Sequence, residues 1–149
     1  MNKIRKVYLS GEIHSDWREQ IKKGVNRRAL PIELISPNTD HDSSDNCGDK
    51  FLGNEQNDFW KDHKAARINT IRIRNLIKES DIVVVRFGEK YKQWNAAFDA
   101  GVASALDKSI ITIHEDNHVH ALKEINAVAL ASTKTPDQVV QILEYVTSK

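Results

Sequence analysis

The sequence predicts an α/β fold: a flavodoxin-like, doubly wound sheet of five parallel strands in the order 2-1-3-4-5. Three observations predict it. Five short apolar runs alternate with longer amphipathic ones, and such alternation requires right-handed crossovers and a sheet covered on both faces. The run Ile82-Val83-Val84-Val85 is aliphatic and β-branched without a break, which marks a strand buried on both sides. The length, 149 residues, fits one domain spanning 1–149, with no room for a second.

The elements follow in order. Residues 4–10 form the first strand, stopped at Gly11. A helix is expected over 16–29, where Asp16 and Glu19 have the spacing of a capping box. Residues 32–36 form the second strand, ended by Pro37. From 37 to 60 the chain turns strongly polar and reads as a long loop, a length that in a compact domain usually carries function; we read it as a lid. A helix over 62–79 carries an apolar stripe of Ile68, Ile71, Ile73 and Ile77 among Arg67, Arg72 and Arg74. Residues 81–87 form the third strand and 94–107 an alanine-rich helix whose small side chains allow close packing on a sheet. A fourth strand over 109–114, a short helix near 119–125 and a fifth strand near 127–131 complete the sheet. Thr135 then caps a last helix with Pro136 at its first position.

Composition narrows the function. Lys plus Arg total 22 and Asp plus Glu 21, a formal charge of +1, with a pI near 7.9. That balance lacks the clustered basic excess by which proteins hold polymeric nucleic acid, so no such partner is expected. One cysteine, Cys47, excludes an internal disulfide and a cysteine-rich zinc site. No apolar run approaches the ~20 residues of a membrane span. The basic start at residues 1–6 leads into no signal-peptide core, so a cytoplasmic protein is expected. Hydrophobic residues at 40% and a mean hydropathy of −0.54 still suit a folded chain rather than a disordered one.

Sheets of this kind bind ligands outside the carboxyl ends of their strands, between strands one and three. Ser10, Gly11 and Glu12, then Pro37, then Arg86, Phe87 and Gly88, and His114 occupy that rim. The 37–60 segment leaves from it, placing Asn38 and Asp40 at its start and Asp58 and Trp60 at its end. Gly11 permits close backbone approach to a ligand, or serves as a turn residue. Glu12 and His14 are two residues apart and can do acid–base work, or stand as solvated polar residues before a helix. Asp99 lies early in its helix among Ala96, Ala97, Ala100 and Gly101. Small neighbours let it face a cavity, and the helix dipole favours its ionised form, as a nucleophile or electrostatic stabiliser needs.

Several chemistries are not expected. Gly11 stands alone rather than in a glycine-rich phosphate loop, which argues against hydride transfer and triphosphate hydrolysis and calls for no cofactor. The stretch His114-Glu115-Asp116-Asn117-His118-Val119-His120 has no zinc-motif spacing, and residues 40–49 lack the glycine and glutamate of a calcium loop; no metal is expected.

Three stretches carry a resemblance: Tyr8-Leu9-Ser10-Gly11-Glu12-Ile13-His14-Ser15-Asp16-Trp17-Arg18, Ser36-Pro37-Asn38-Thr39-Asp40-His41, and Arg86 through Gly101 with Gln93-Trp94-Asn95-Ala96-Ala97-Phe98-Asp99 at its centre. The chain resembles the YtoQ family, grouped with the nucleoside 2-deoxyribosyltransferases, over nearly its whole length. The resemblance implies a small-molecule nucleoside or nucleotide as partner. It also implies a homo-oligomer, because transferases of this fold complete their pockets across a subunit interface. Their nucleophile is a Glu two residues before a glycine, and Asp99, followed by Ala100 and Gly101, falls on that position. The implied chemistry is attack of this carboxylate on the anomeric carbon, release of the base, and transfer of the sugar to a second base or to water.

Three departures stand out. Asp is one methylene shorter than Glu, retracting the carboxylate by ~1.5 Å. Gln93 stands where the transferases have an Asp six residues before the nucleophile, and Ile73 where they have an Asp eight residues before the third strand. The leading expectation is therefore N-glycosidic cleavage or deoxyribosyl transfer by Asp99. Glu12 or His14 would move the proton and Asn95 orient the sugar. The backbone of Gly11 and Gly88 would approach the ligand, Arg86 would meet a phosphate, and Trp60 or Trp94 would stack on a base. The alternative is a nucleotide-binding module without catalysis.

Overall fold

The computed structural model describes residues 3–90 and 92–148; Tyr91, inside one of the family-like stretches, lies outside them. Its strands are β1 (Arg5–Gly11), β2 (Ile32–Ile35), β3 (Ile82–Arg86), β4 (Ser109–Ile113) and β5 (Ala131–Thr133). Its helices are α1 (Trp17–Arg27), α2 (His41–Leu52), α3 (Asp58–Glu79), α4 (Trp94–Ala105), α5 (Lys123–Val128) and α6 (Pro136–Thr147), with a 3₁₀ turn at Asp116–His118. The strands form one parallel sheet in the order β2-β1-β3-β4-β5, as the sequence predicts. Among the described residues no helix is long and apolar enough to cross a membrane.

Strand alternation divides the core into two layers. Val7 and Leu9 of β1 join Val84 and Ile111 beneath Trp17, Ile21 and Val25 of α1 and Val139, Val140 and Leu143 of α6. Tyr8 faces the other way, with Val83 and Val85, against Ile77 of α3 and Ala96, Ala100 and Ala103 of α4. The alanines let α4 approach the sheet closely, and Ser10, two residues after Tyr8, shares its face. Strand parity thus aims Ser10 at α4.

Residues 37–60 are not a long loop. Helix α2 occupies half of them and packs on α3, which itself begins at Asp58. Asp40 caps α2 by accepting from the Ser43 N–H at 2.8 Å, and Gly53, at φ +91°, ends it. Gly48 explains the packing: a Cβ there would lie 2.6 Å from Lys64 Cβ, so only glycine allows the two helices this contact. The segment's polarity hides the helix, since all but one side of α2 faces solvent.

Smaller differences have local causes. Asp16 precedes α1 without a capping bond; its carboxylate accepts from Gln20 instead. Residues 127–128 end α5, and β5 starts later, at Ala131. Ile71, expected in the buried stripe of α3, is 67% exposed. Thr135, Pro136 and Gln138 form the expected cap of α6 as a full capping box. The histidine-rich stretch does not converge: His114 is buried and pairs with Asn126 and the Glu115 carbonyl, while the side chain of Asp116 pairs with Lys134.

Candidate functional site

At the carboxyl end of β1 the chain makes a turn that only glycine permits. Gly11 has φ +109°, and a Cβ on it would lie 2.2 Å from the Arg86 carbonyl oxygen. The turn that follows is organised by Glu12. Its carboxylate accepts from the backbone N–H of His14, from the Ser15 N–H at 2.8 Å and from the Ser15 hydroxyl at 2.5 Å, with Arg86 Nε 3.9 Å away. Burial pushes the Glu12 carboxyl up, but these hydrogen bonds and Arg86 outweigh it and hold the group below its ordinary value. Glu12 is therefore a fixed anion, and the predicted proton-transfer role does not match its surroundings.

Arg18 clamps the same turn from beneath. Its guanidinium donates to the carbonyls of Leu9, Gly11 and Glu12 and lies 4.5 Å from the Trp17 ring centroid; burial lowers its pKa to about 10. Trp17 Nε1 donates to the Glu12 carbonyl at 2.7 Å. Trp17 and Arg18 thus act as scaffold for the rim.

Asp99 reaches the rim from α4. It lies on the helix face of Ala96, Ala100 and Ala103, is 7% exposed, and its Oδ2 accepts from the Ser10 hydroxyl at 2.6 Å. Burial raises its pKa to about 6, against the lowering effect of the Ser10 bond. Ser10, expected to touch the ligand, is fully buried and instead positions the carboxylate. The Tyr8 hydroxyl is buried on the same face with no hydrogen-bond partner among the described residues, and burial, then the Asp99 charge, drives its pKa up.

A cleft of about 320 Å³ opens above this carboxylate, a size that takes a small molecule. Of the residues selected from the sequence, Gly11, Glu12, His14, Pro37, Asn38, Asn95 and Asp99 line it. Others sit elsewhere. Asp40 is the cap of α2, Asp58 starts α3 in solvent, and Trp60 is exposed against Phe59 and His63. Arg86 backs Glu12, while Phe87, Gly88 and Trp94 line a neighbouring groove. Gly88 is needed for packing, because a Cβ would lie 2.6 Å from Glu12 Cγ.

Helices α2 and α3 bring residues that the sequence reading did not select. His41, Ser44 and Asp45 of α2 line the cleft with Asn69 and Arg72 of α3, and Lys92 and Gln93 precede α4. His41 Nε2 lies 3.2 Å from Asp45 Oδ2. Their i,i+4 spacing after the Asp40 cap was the available signal, once α2 is recognised as a helix.

The sequence model of the family described as nucleoside 2-deoxyribosyltransferase YtoQ matches residues 8–147. The uncharacterized protein YtoQ of Bacillus subtilis (strain 168) is 44% identical over 140 residues, covering 94% of this chain and 95% of that one. The chain belongs to the YtoQ family. Among solved structures, the fold of this family member is similar to that of a CMP N-glycosidase of Clostridium botulinum, with a TM-score of 0.55, 15% identity, and 95% and 99% of the two chains covered. It is also similar to a 2-deoxyribosyltransferase of Bacillus psychrosaccharolyticus, at TM-score 0.53, 17% identity, and 91% and 90% coverage. A conserved protein of Enterococcus faecalis V583 superposes with TM-score 0.61 at 15% identity, with 96% and 99% covered. At these identities the likeness concerns the fold.

Proposed function

We propose that this YtoQ-family protein cleaves the N-glycosidic bond of a nucleoside or nucleotide, passing the sugar to water or to a second base, with Asp99 as nucleophile. The observation that carries the reading is the buried Asp99 carboxylate held at 2.6 Å by Ser10 on the floor of the cleft. With a pKa of about 6, Asp99 is ionised at neutral pH yet more basic than an ordinary aspartate, which suits attack on carbon. Its oxygen forms a bond to C1′ as the C1′–N bond breaks and the electron pair passes to the base. His41, paired with Asp45, donates the proton that the departing base takes up. Water or a second base then attacks C1′ and frees the carboxylate. Arg72 and Lys92 give the cleft positive charge for a phosphate, and Asn95 orients the sugar.

The names of the family and of two structural neighbours support this reading, as does the small size of the cleft. A second copy of the chain would cover Ile71 of α3 and Phe98 of α4, exposed at 67% and 58%. The alternative, a nucleotide-binding module without turnover, is favoured by Gln93 and Ile73 at the transferase carboxylate positions and by the fully engaged Glu12. Incubation with a panel of nucleosides and 5′-monophosphates, read by chromatography for free base, separates the two. Release that disappears in Asp99→Ala supports the enzyme; tight binding with no release by the parent protein supports the module.

A further inference from the structure

A second groove, of about 660 Å³, adjoins the Asp99 cleft at the carboxyl ends of β3 and β4, and Gln93 and Lys92 line both. Phe87, Leu122 and Ile125 give it an apolar floor. Trp94 forms a wall and is 75% exposed, a large apolar surface left to water. Two polar atoms of the lining are buried without a hydrogen-bond partner among the described residues: Gln93 Nε2 and His118 Nδ1. The Gln93 amide has a determined orientation. The Gly88 N–H can only donate, at 2.7 Å, so the atom facing it is Oε1 and the unpaired atom is the NH₂ donor. An unpaired buried donor is a group that an acceptor atom on a bound ligand would satisfy. Lys90 and Lys92 at the rim exceed Glu89 in charge, and Lys92 Nζ lies 5.8 Å from the Trp94 ring centroid.

We propose that this groove is a second small-molecule site, for a planar aromatic or heteroaromatic ring carrying an anionic group. The ring stacks on the Trp94 indole above Phe87 and Leu122. The anion meets the lysines, and an acceptor atom of the ligand accepts a hydrogen bond from the Gln93 NH₂. The groove shares Lys92 and Gln93 with the Asp99 cleft but holds no reacting group, and the proposal stands whether or not Asp99 is a nucleophile.

Phenyl phosphate, the smallest molecule with both features, is the probe, with phenol and inorganic phosphate as controls. In ¹H–¹⁵N spectra of the full chain, phenyl phosphate should give saturable shifts at the Trp94 indole, Gly88 and Leu122, with each control binding weaker. Loss of the stacking partner in Trp94→Ala should weaken binding about tenfold. Lys90→Glu should weaken it as well. Asp99→Asn should bind as the parent does, even if no nucleoside is ever cleaved. Three results would each overturn the proposal. Shifts could fall only on Asn38 and Asn69 in the Asp99 cleft. Inorganic phosphate could bind as well as phenyl phosphate, which would mean a bare anion patch. No saturable shift could appear while the Trp94 signal tracks protein concentration, which would mean that a second copy covers the groove.

Discussion

Ser10→Ala isolates the device that sets Asp99. The hydroxyl lies 2.6 Å from Oδ2, with both residues buried, so water cannot replace it without a cavity. A hydrogen bond to a charged group is worth about 1.5–3 kcal/mol, and one pH unit corresponds to 1.36 kcal/mol, so the Asp99 pKa should rise about 1–2 units. Starting from about 6, it should reach roughly 7–8. At pH 7 the ionised fraction would then fall from about nine-tenths to between a tenth and a half. Base release at pH 7 should drop about 2–10-fold and recover at higher pH. The assay is the pH–rate profile of free-base formation, backed by the ¹³C shift of the Asp99 carboxyl, which reports the titration without turnover. An acid limb and a carboxyl titration that stay where they are in the parent protein would refute the role given to Ser10.

Other perturbations test neighbouring parts of the site. In Asp99→Asn a buried charge disappears. The folded pKa of about 6 lies above the ordinary 3.8, so the carboxylate costs stability that accrues as pH rises through that window. The variant should therefore be more stable than the parent at pH 7.5, by at most about 3 kcal/mol, with little gain below pH 3.5; urea unfolding at both pH values measures it. Glu12→Gln should lower stability by about 1–3 kcal/mol at neutral pH and leave the acid limb of the rate profile in place, since Glu12 holds a turn rather than moving a proton. His41→Asn should slow base release on the order of 10²-fold with the fold unchanged by circular dichroism, if His41 is the proton donor. Gly48→Ala should cost about 1–3 kcal/mol in thermal unfolding by forcing α2 off α3.

The sheet was legible because its signals are local. The β-branched run of β3 can only be a buried strand, and five strand–helix alternations leave few topologies. Asp99 was legible for a related reason: on a helix whose other sheet-facing residues are alanines, a carboxylate at the same spacing must sit on the packed face. Ser10 was seen at the rim, but its partner could only be found by adding strand parity to the turn of α4. What stayed hidden depended on α2. Its single buried face is made by Cys47 and Gly48, too small to give an apolar stripe, so the helix reads as a polar loop and nothing in it brings His41 and Asp45 together. The surroundings of Glu12 stayed hidden as well, because a carboxylate beside a histidine looks the same in sequence whether it is free or closed by three donors.

The most direct test of Asp99 as nucleophile is to trap what it forms. A nucleoside carrying fluorine at C2′ slows breakdown of a glycosyl–carboxylate ester, so the adduct should accumulate during turnover of a substrate found in the panel. Intact-mass measurement after rapid acid quench should show the chain heavier by one fluorosugar. Peptide mapping should place that mass on Asp99, and Asp99→Asn should show none. Release of base with no adduct, or with the sugar mapped to another residue, would contradict the assignment.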